Sequence, residues 1–168
     1  SFPTRRSSDL TLPGGKYGNL SGTSMATLLV AGLAAFLKAQ DSSLTGAQIR
    51  AILQLTGTQA SIETSCNCRV DALAAVEFVL ARKLFITPAA GVVAMGESLK
   101  FAGNLGRPPY TFSVSDSTVG KVDQNGTFTP LKAGTTMVKV SDADGNGSSS
   151  LPIEVRATTS GGGGGGSS

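Results

Sequence analysis

Ser24 stands in the run Gly22-Thr23-Ser24-Met25-Ala26, directly ahead of a long apolar stretch, and its surroundings suit acyl transfer. A nucleophilic serine needs a hydroxyl that stands clear of the fold. It also needs a base within reach and backbone amides facing the oxygen that turns negative. Gly22 lets the backbone approach closely. Ser24 at a helix start would keep its own amide unpaired, and the helix dipole would favour a developing oxyanion there. The same residues also describe an ordinary serine cap on a core helix, and local physics alone favours that plainer reading. The base is the missing part: none of the 168 residues is histidine.

Two other groupings are candidates for chemistry. Cys66 and Cys68 are too few and too close for a disulfide framework or, alone, a zinc site. Free thiols, a local pair, or one cysteine paired outside this chain all stay open. Asp142, Asp144 and Asn146 alternate as calcium-binding oxygens do. DADGNG is equally a hairpin turn, with Gly145 and Gly147 for positive φ, and it lacks the distal Glu of an EF-hand loop. The turn is the preferred reading, so no metal site is assigned and no cofactor is evident. A formal charge of +3, scattered along the chain, argues against nucleic acid as a partner.

These residues must be positioned by two kinds of element. Thr11 to Leu20 reads as loop with a short strand near Tyr17. A helix follows from Ser24 to about Gln40, apolar on nearly every face through Leu28, Leu29, Val30, Leu33, Phe36 and Leu37, which requires protein all round it. Thr45 and Gln48 have capping-box spacing ahead of a helix from about Gly46 to Leu55, striped by Ile49, Ile52 and Leu53. A third helix is predicted over about Val70 to Arg82, with Asp71 in its first turn and Arg82 and Lys83 at its end. Beyond Lys83 the period becomes alternating. Tyr110, Phe112 and Val114 face one way and Thr111 and Ser113 the other, with turn signals at Asn125-Gly126, Gly134 and Asp144-Gly145. That pattern predicts an antiparallel sandwich, and the class is α+β. From Thr158 onward the composition is that of a flexible linker.

LSGTSMATLLVAG, residues 20–32, resembles the nucleophile segment of the subtilisin-like serine proteases, the subtilases. LTGAQIRAIL and VDALAAV follow in the family's order, so the likeness covers roughly Lys16 to Leu80. It implies the helical C-terminal part of an α/β protease domain, with Ser24 as nucleophile and oxyanion donor through its amide. Gly22, Thr23, Met25 and Ala26 are the supporting motif. It also implies that the Asp and His partners and the oxyanion asparagine belong upstream, so the chain alone should be inactive. Leu28 departs from the family's proline at its position. Ile86 to Val155 is similar to bacterial Ig-like domains of the cell-surface type, which act as spacers, adhesins or accessory binding modules. Together the resemblances imply a secreted or cell-envelope endopeptidase acting on polypeptide, with structural calcium in the intact protein and envelope attachment beyond the glycine run. A non-catalytic surface protein presenting the Ig-like module is the rival.

Ser1 to Leu10, SFPTRRSSDL, resembles the in-frame translation of a sequencing-library adapter and is set aside as non-native. The expected organisation is therefore 1–10 adapter-derived, 11–83 protease segment, 84–157 Ig-like sandwich and 158–168 linker.

Overall fold

The computed structural model describes residues 8–20, 23–61 and 66–157, and the chain divides into two compact units, Ser1–Leu44 and Thr45–Ser168. In the first unit, β1 (Ser8–Leu12) pairs antiparallel with β2 (Lys16–Leu20), where sequence reading expected mostly loop. Gly14 at φ +80 and Gly15 at φ +71 supply the left-handed turn between them. Ser8, Asp9 and Leu10 come from the stretch set aside above. Backbone pairing makes little demand on side-chain identity, so a short segment beside a tight turn can be drawn into a ladder. Helix α1 (Thr23–Gln40) follows, within one residue of its predicted start.

The second unit opens with α2 (Gly46–Leu55), whose capping box is formed as read: the Gln48 amide nitrogen of the backbone donates to Thr45 Oγ1 and the Thr45 backbone N–H to Gln48 Oε1. Two short strands, β3 (Thr58–Gln59) and β4 (Cys68–Arg69), pair antiparallel and lead to α3 (Ala72–Leu80). Asp71 lies one step outside the first turn and is the cap itself, its Oδ1 accepting from the Ala74 N–H at 3.0 Å. Arg82 and Lys83 lie past the helix end, which closes at Ala81.

The strands that follow are β5 (Phe85–Thr87), β6 (Gly91–Ala94), β7 (Leu99–Lys100), β8 (Ala102–Asn104), β9 (Thr111–Val114), β10 (Gly120–Val122) and β11 (Thr127–Pro130). They continue as β12 (Gly134–Thr136), β13 (Val138–Ser141), β14 (Gly147–Ser149) and β15 (Ile153–Arg156). They form two layers. In one, β5 pairs with β8, and β7 continues that line to β11 and β10. In the other, β6 runs parallel to β15, which pairs with β12. The next stretches of the same two strands, β14 and β13, carry the ladder on to β9. Between them lie Ile86, Val93, Phe101, Phe128, Val138, Val140 and Ile153, all buried. Phe101 and Phe128 meet edge to face at 6.5 Å. The predicted alternation holds on β9, where Thr111 and Ser113 are exposed and Phe112 and Val114 pack against the core.

Helices α2 and α3 lie in the same compact unit as these strands, although sequence reading grouped them with the protease segment. Phe78 of α3 meets Phe85 edge-on at 5.9 Å, and Gln48 of α2 donates to Asn104 Oδ1 of β8 at 2.8 Å.

The sandwich turns are tied by ionised carboxylates. Asp116 is held below the usual aspartate range by the Thr118 hydroxyl and N–H, Asp123 by the Thr127 N–H, and Asp142 by the Asn146 side chain and further amides. Folded pKa values below the unfolded value of about 3.9 mean that this stabilisation is complete above that pH. It is lost as acid titrates the native carboxylates, because the unfolded chain binds protons first. Urea midpoints should therefore be flat from neutral pH down to about 5 and fall steadily below about 4. A midpoint that rose or held constant on acidification would contradict these turns.

Candidate functional site

Ser24 is the second residue of α1, not a cap outside it and not mid-helix. The first four amides of a helix have no partner within it, and Ser24 contributes one of them at the positive end of the dipole. The structure describes Thr23, Ser24 and Met25 as helical backbone and the side chains from Ala26 onward; Gly22 lies outside the described residues. Thr23, Ser24, Met25 and Ala26 thus share the first turn of α1.

Beyond that turn the helix does not meet the condition its sequence sets. Leu28 is 58% exposed, Leu29 69% and Phe36 50%, while Leu37 is fully buried. Exposed large apolar side chains on consecutive turns form a surface that a folded domain ordinarily covers. At the far end, Lys38 Nζ donates to the carbonyls of Ser42 and Leu44, both at 2.6 Å, a cation where the dipole favours one.

The remaining candidates resolve differently. Cys66 and Cys68 are disulfide-bonded to each other, with Cα atoms 5.1 Å apart and Asn67 between them at φ 48. Cys68 is buried beside Gly57, where a Cβ would come within 2.6 Å of its sulfur, so the bridge packs tightly against the end of α2. Asp142 is buried in a turn: its Oδ1 accepts from the N–H groups of Asp144 and Asn146, and its Oδ2 from Arg107 N and Asn146 Nδ2. Both oxygens thus tie the turn together, as the hairpin reading of DADGNG expects. Only Gly145, at φ +82, takes the left-handed conformation; Gly147 belongs to β14. Among the described residues no group of three or more His, Cys, Asp or Glu is arranged to hold a metal. Sequence reading missed the tie between Asp142 and the Arg107 loop, 35 residues away, because nothing local signals a pairing at that range.

Residues 3–71 match the model of the subtilase family, and residues 105–155 match that of the hyaluronate lyase N-terminal beta-sheet domain. Subtilisin from Bacillus pumilus is 52% identical over 48 residues, covering 29% of this chain and 18% of that protein. Subtilisin E from Bacillus subtilis (strain 168) is 52% identical over 48 residues, covering 29% of this chain and 13% of its own length. The chain thus spans less than a fifth of the length of these relatives. An intimin mutant of EHEC O157:H7 superposes with a TM-score of 0.35 at 19% identity, covering 38% of this chain and 34% of that one.

Proposed function

We propose that this chain carries the nucleophile end of a subtilisin-like serine endopeptidase, and that Ser24 forms the acyl-enzyme when the upstream part of the domain is present. One observation carries the reading: Thr23, Ser24, Met25 and Ala26 of the GTSMA run occupy the first turn of α1, inside a segment that matches the subtilase family. The ordered recurrence of the α2 and α3 segments behind it supports the same conclusion. Polypeptide is the substrate, and specificity lies in upstream loops. The 168-residue chain is inactive by itself, because it holds no histidine to take the proton from Ser24.

The protein acts outside the cell or at the cell envelope, as a processed secreted chain with a sandwich module would. Calcium belongs to the intact protein, at sites that use upstream residues. A second reading has one observation in its favour: residues 105–155 match a beta-sheet domain of a polysaccharide lyase, which suits a non-catalytic accessory or spacer role. With Leu28 where the family has proline, that reading makes the protease segment a degenerate scaffold.

A fluorophosphonate probe discriminates between them when applied to the protein with its upstream segment. Modification mapped to the peptide containing Ser24 supports catalysis. A folded, unlabelled protein supports the scaffold.

A further inference from the structure

We propose that the Cys66–Cys68 bridge is a thiol–disulfide exchange site, opened by an external low-molecular-weight thiol at the Cys66 sulfur while Cys68 stays seated in the fold. The two cysteines are separated by Asn67 alone, so the bond restrains little else. A disulfide stabilises a fold chiefly by restricting the unfolded chain, and the gain grows with the loop it closes. A loop this short gives the least of it. By linkage, a bond that stabilises the fold little is itself stabilised little by the fold, and such bonds are the ones that thiols reduce. Closure also holds Asn67 at φ 48, in left-handed backbone that costs any residue but glycine some energy, though Asn less than most. That cost weighs against the closed bond.

The fold keeps Cys68 in place by contacts other than the bridge. Strand β4 pairs with β3 through Gln59 opposite Cys68 and Thr58 opposite Arg69. The Ala60 N–H extends the pairing, donating to the Asn67 carbonyl at 2.8 Å. Cys68 is 7% exposed, and its sulfur lies against Gly57, where a Cβ would leave it no room. Each sulfur also has a carbonyl oxygen at hand. Cys68 Sγ is 3.9 Å from the Gln54 oxygen and Cys66 Sγ is 3.9 Å from the Cys68 oxygen. A thiol is a weak donor, and in the reduced pair each S–H finds an acceptor without moving. The dithiol form is thus accommodated by the same backbone that holds the bridge.

Burial decides which sulfur is attacked. Cys66 is half-buried and Cys68 buried, so an incoming thiolate reaches Cys66 Sγ. A new S–S bond forms there, the Cys66–Cys68 bond breaks, and Cys68 leaves as a thiolate that takes a proton. A second thiolate then attacks the sulfur of the first, releasing a small disulfide and leaving Cys66 as a thiolate, which is protonated in turn. Two thiols are thereby oxidised to one disulfide, and the bridge gains their two electrons and two protons. Oxidised small disulfide closes the bridge by the reverse path.

The test uses the whole 168-residue chain, equilibrated with glutathione at graded ratios of reduced to oxidised form, then acid-quenched, alkylated and weighed by intact mass. At a ratio matching the cytosolic poise, where structural disulfides stay closed, at least about half of the chain should carry two alkyl groups. The same sample should keep its far-ultraviolet spectrum and a cooperative urea transition. A bridge that stays closed at that ratio, opens only in urea, or takes the urea transition with it when it opens overturns the proposal. Two single variants then test the asymmetry with oxidised glutathione. Cys68→Ser, which leaves Cys66, should form the mixed disulfide at least about tenfold faster than Cys66→Ser, which leaves Cys68. Equal rates, or faster reaction at Cys68, would contradict the assigned point of attack. No readout involves Ser24 or turnover of peptide, so failure here leaves the protease reading standing.

Discussion

Replacing Ser24 with alanine in the protein that carries its upstream segment is expected to abolish peptide hydrolysis, with turnover falling on the order of 10⁶, a magnitude carried over from subtilisin itself. The size follows from what the residue does. On the proposed reading Ser24 supplies the atom that bonds to the acyl carbon, no other group shares that role, and an upstream histidine would be left with no hydroxyl to activate. The backbone amide survives the change, and so does substrate binding, which should hold KM near its original value while kcat collapses. The competing description separates cleanly. Were Ser24 only a helix cap, the substitution would cost about 1 kcal/mol of stability and no activity. A chromogenic peptide assay read with thermal melts on both variants distinguishes the two. The 168-residue chain should show no turnover with either residue at position 24.

Phe85→Ala should be the most damaging change in the second unit, costing about 3–5 kcal/mol and lowering the melting temperature by about 10–20 °C. Phe85 is fully buried. Its ring meets Phe78 of α3 at 5.9 Å and an interplanar angle of 73°. Its carbonyl accepts from Asn104 Nδ2, and Asn104 Oδ1 in turn accepts from Gln48 of α2. Truncation thus opens a cavity where two helices and two strands converge, beside a polar clasp that crosses the same seam. Within the second unit, α2, α3 and the strands should unfold in one transition, before and after the substitution. A variant that melted its helices separately, with the sandwich untouched, would show that the seam does not couple them.

That seam marks the limit of what was legible in the chain. Elements were readable wherever their signal is local. The Thr45 and Gln48 capping box, the helix after Ser24 and the alternation from Tyr110 to Val114 all appear where expected, because capping and side-chain period act over a few residues. Asp71 was read one position too far inward, a shift typical of helix ends. What escaped was long-range. Phe78 with Phe85, Gln48 with Asn104 and Asp142 with Arg107 join segments whose pairing no local pattern encodes. Sequence reading places α2 and α3 in the protease segment, and in the structure they pack on the strands that follow. The candidate nucleophile was legible for the opposite reason. Its signal is a run of five residue types at fixed spacing, which needs no tertiary contact to be seen. Its partners were not legible, because no residue of this chain is a histidine.

The most direct measurement is therefore the coding sequence upstream of residue 11, recovered from the original source and translated. The account predicts an Asp, then a His, then an Asn in subtilase context, in that order, ahead of Ser24. An upstream sequence in which those positions are replaced or missing would contradict it, and would leave the sandwich as the functional part of the protein.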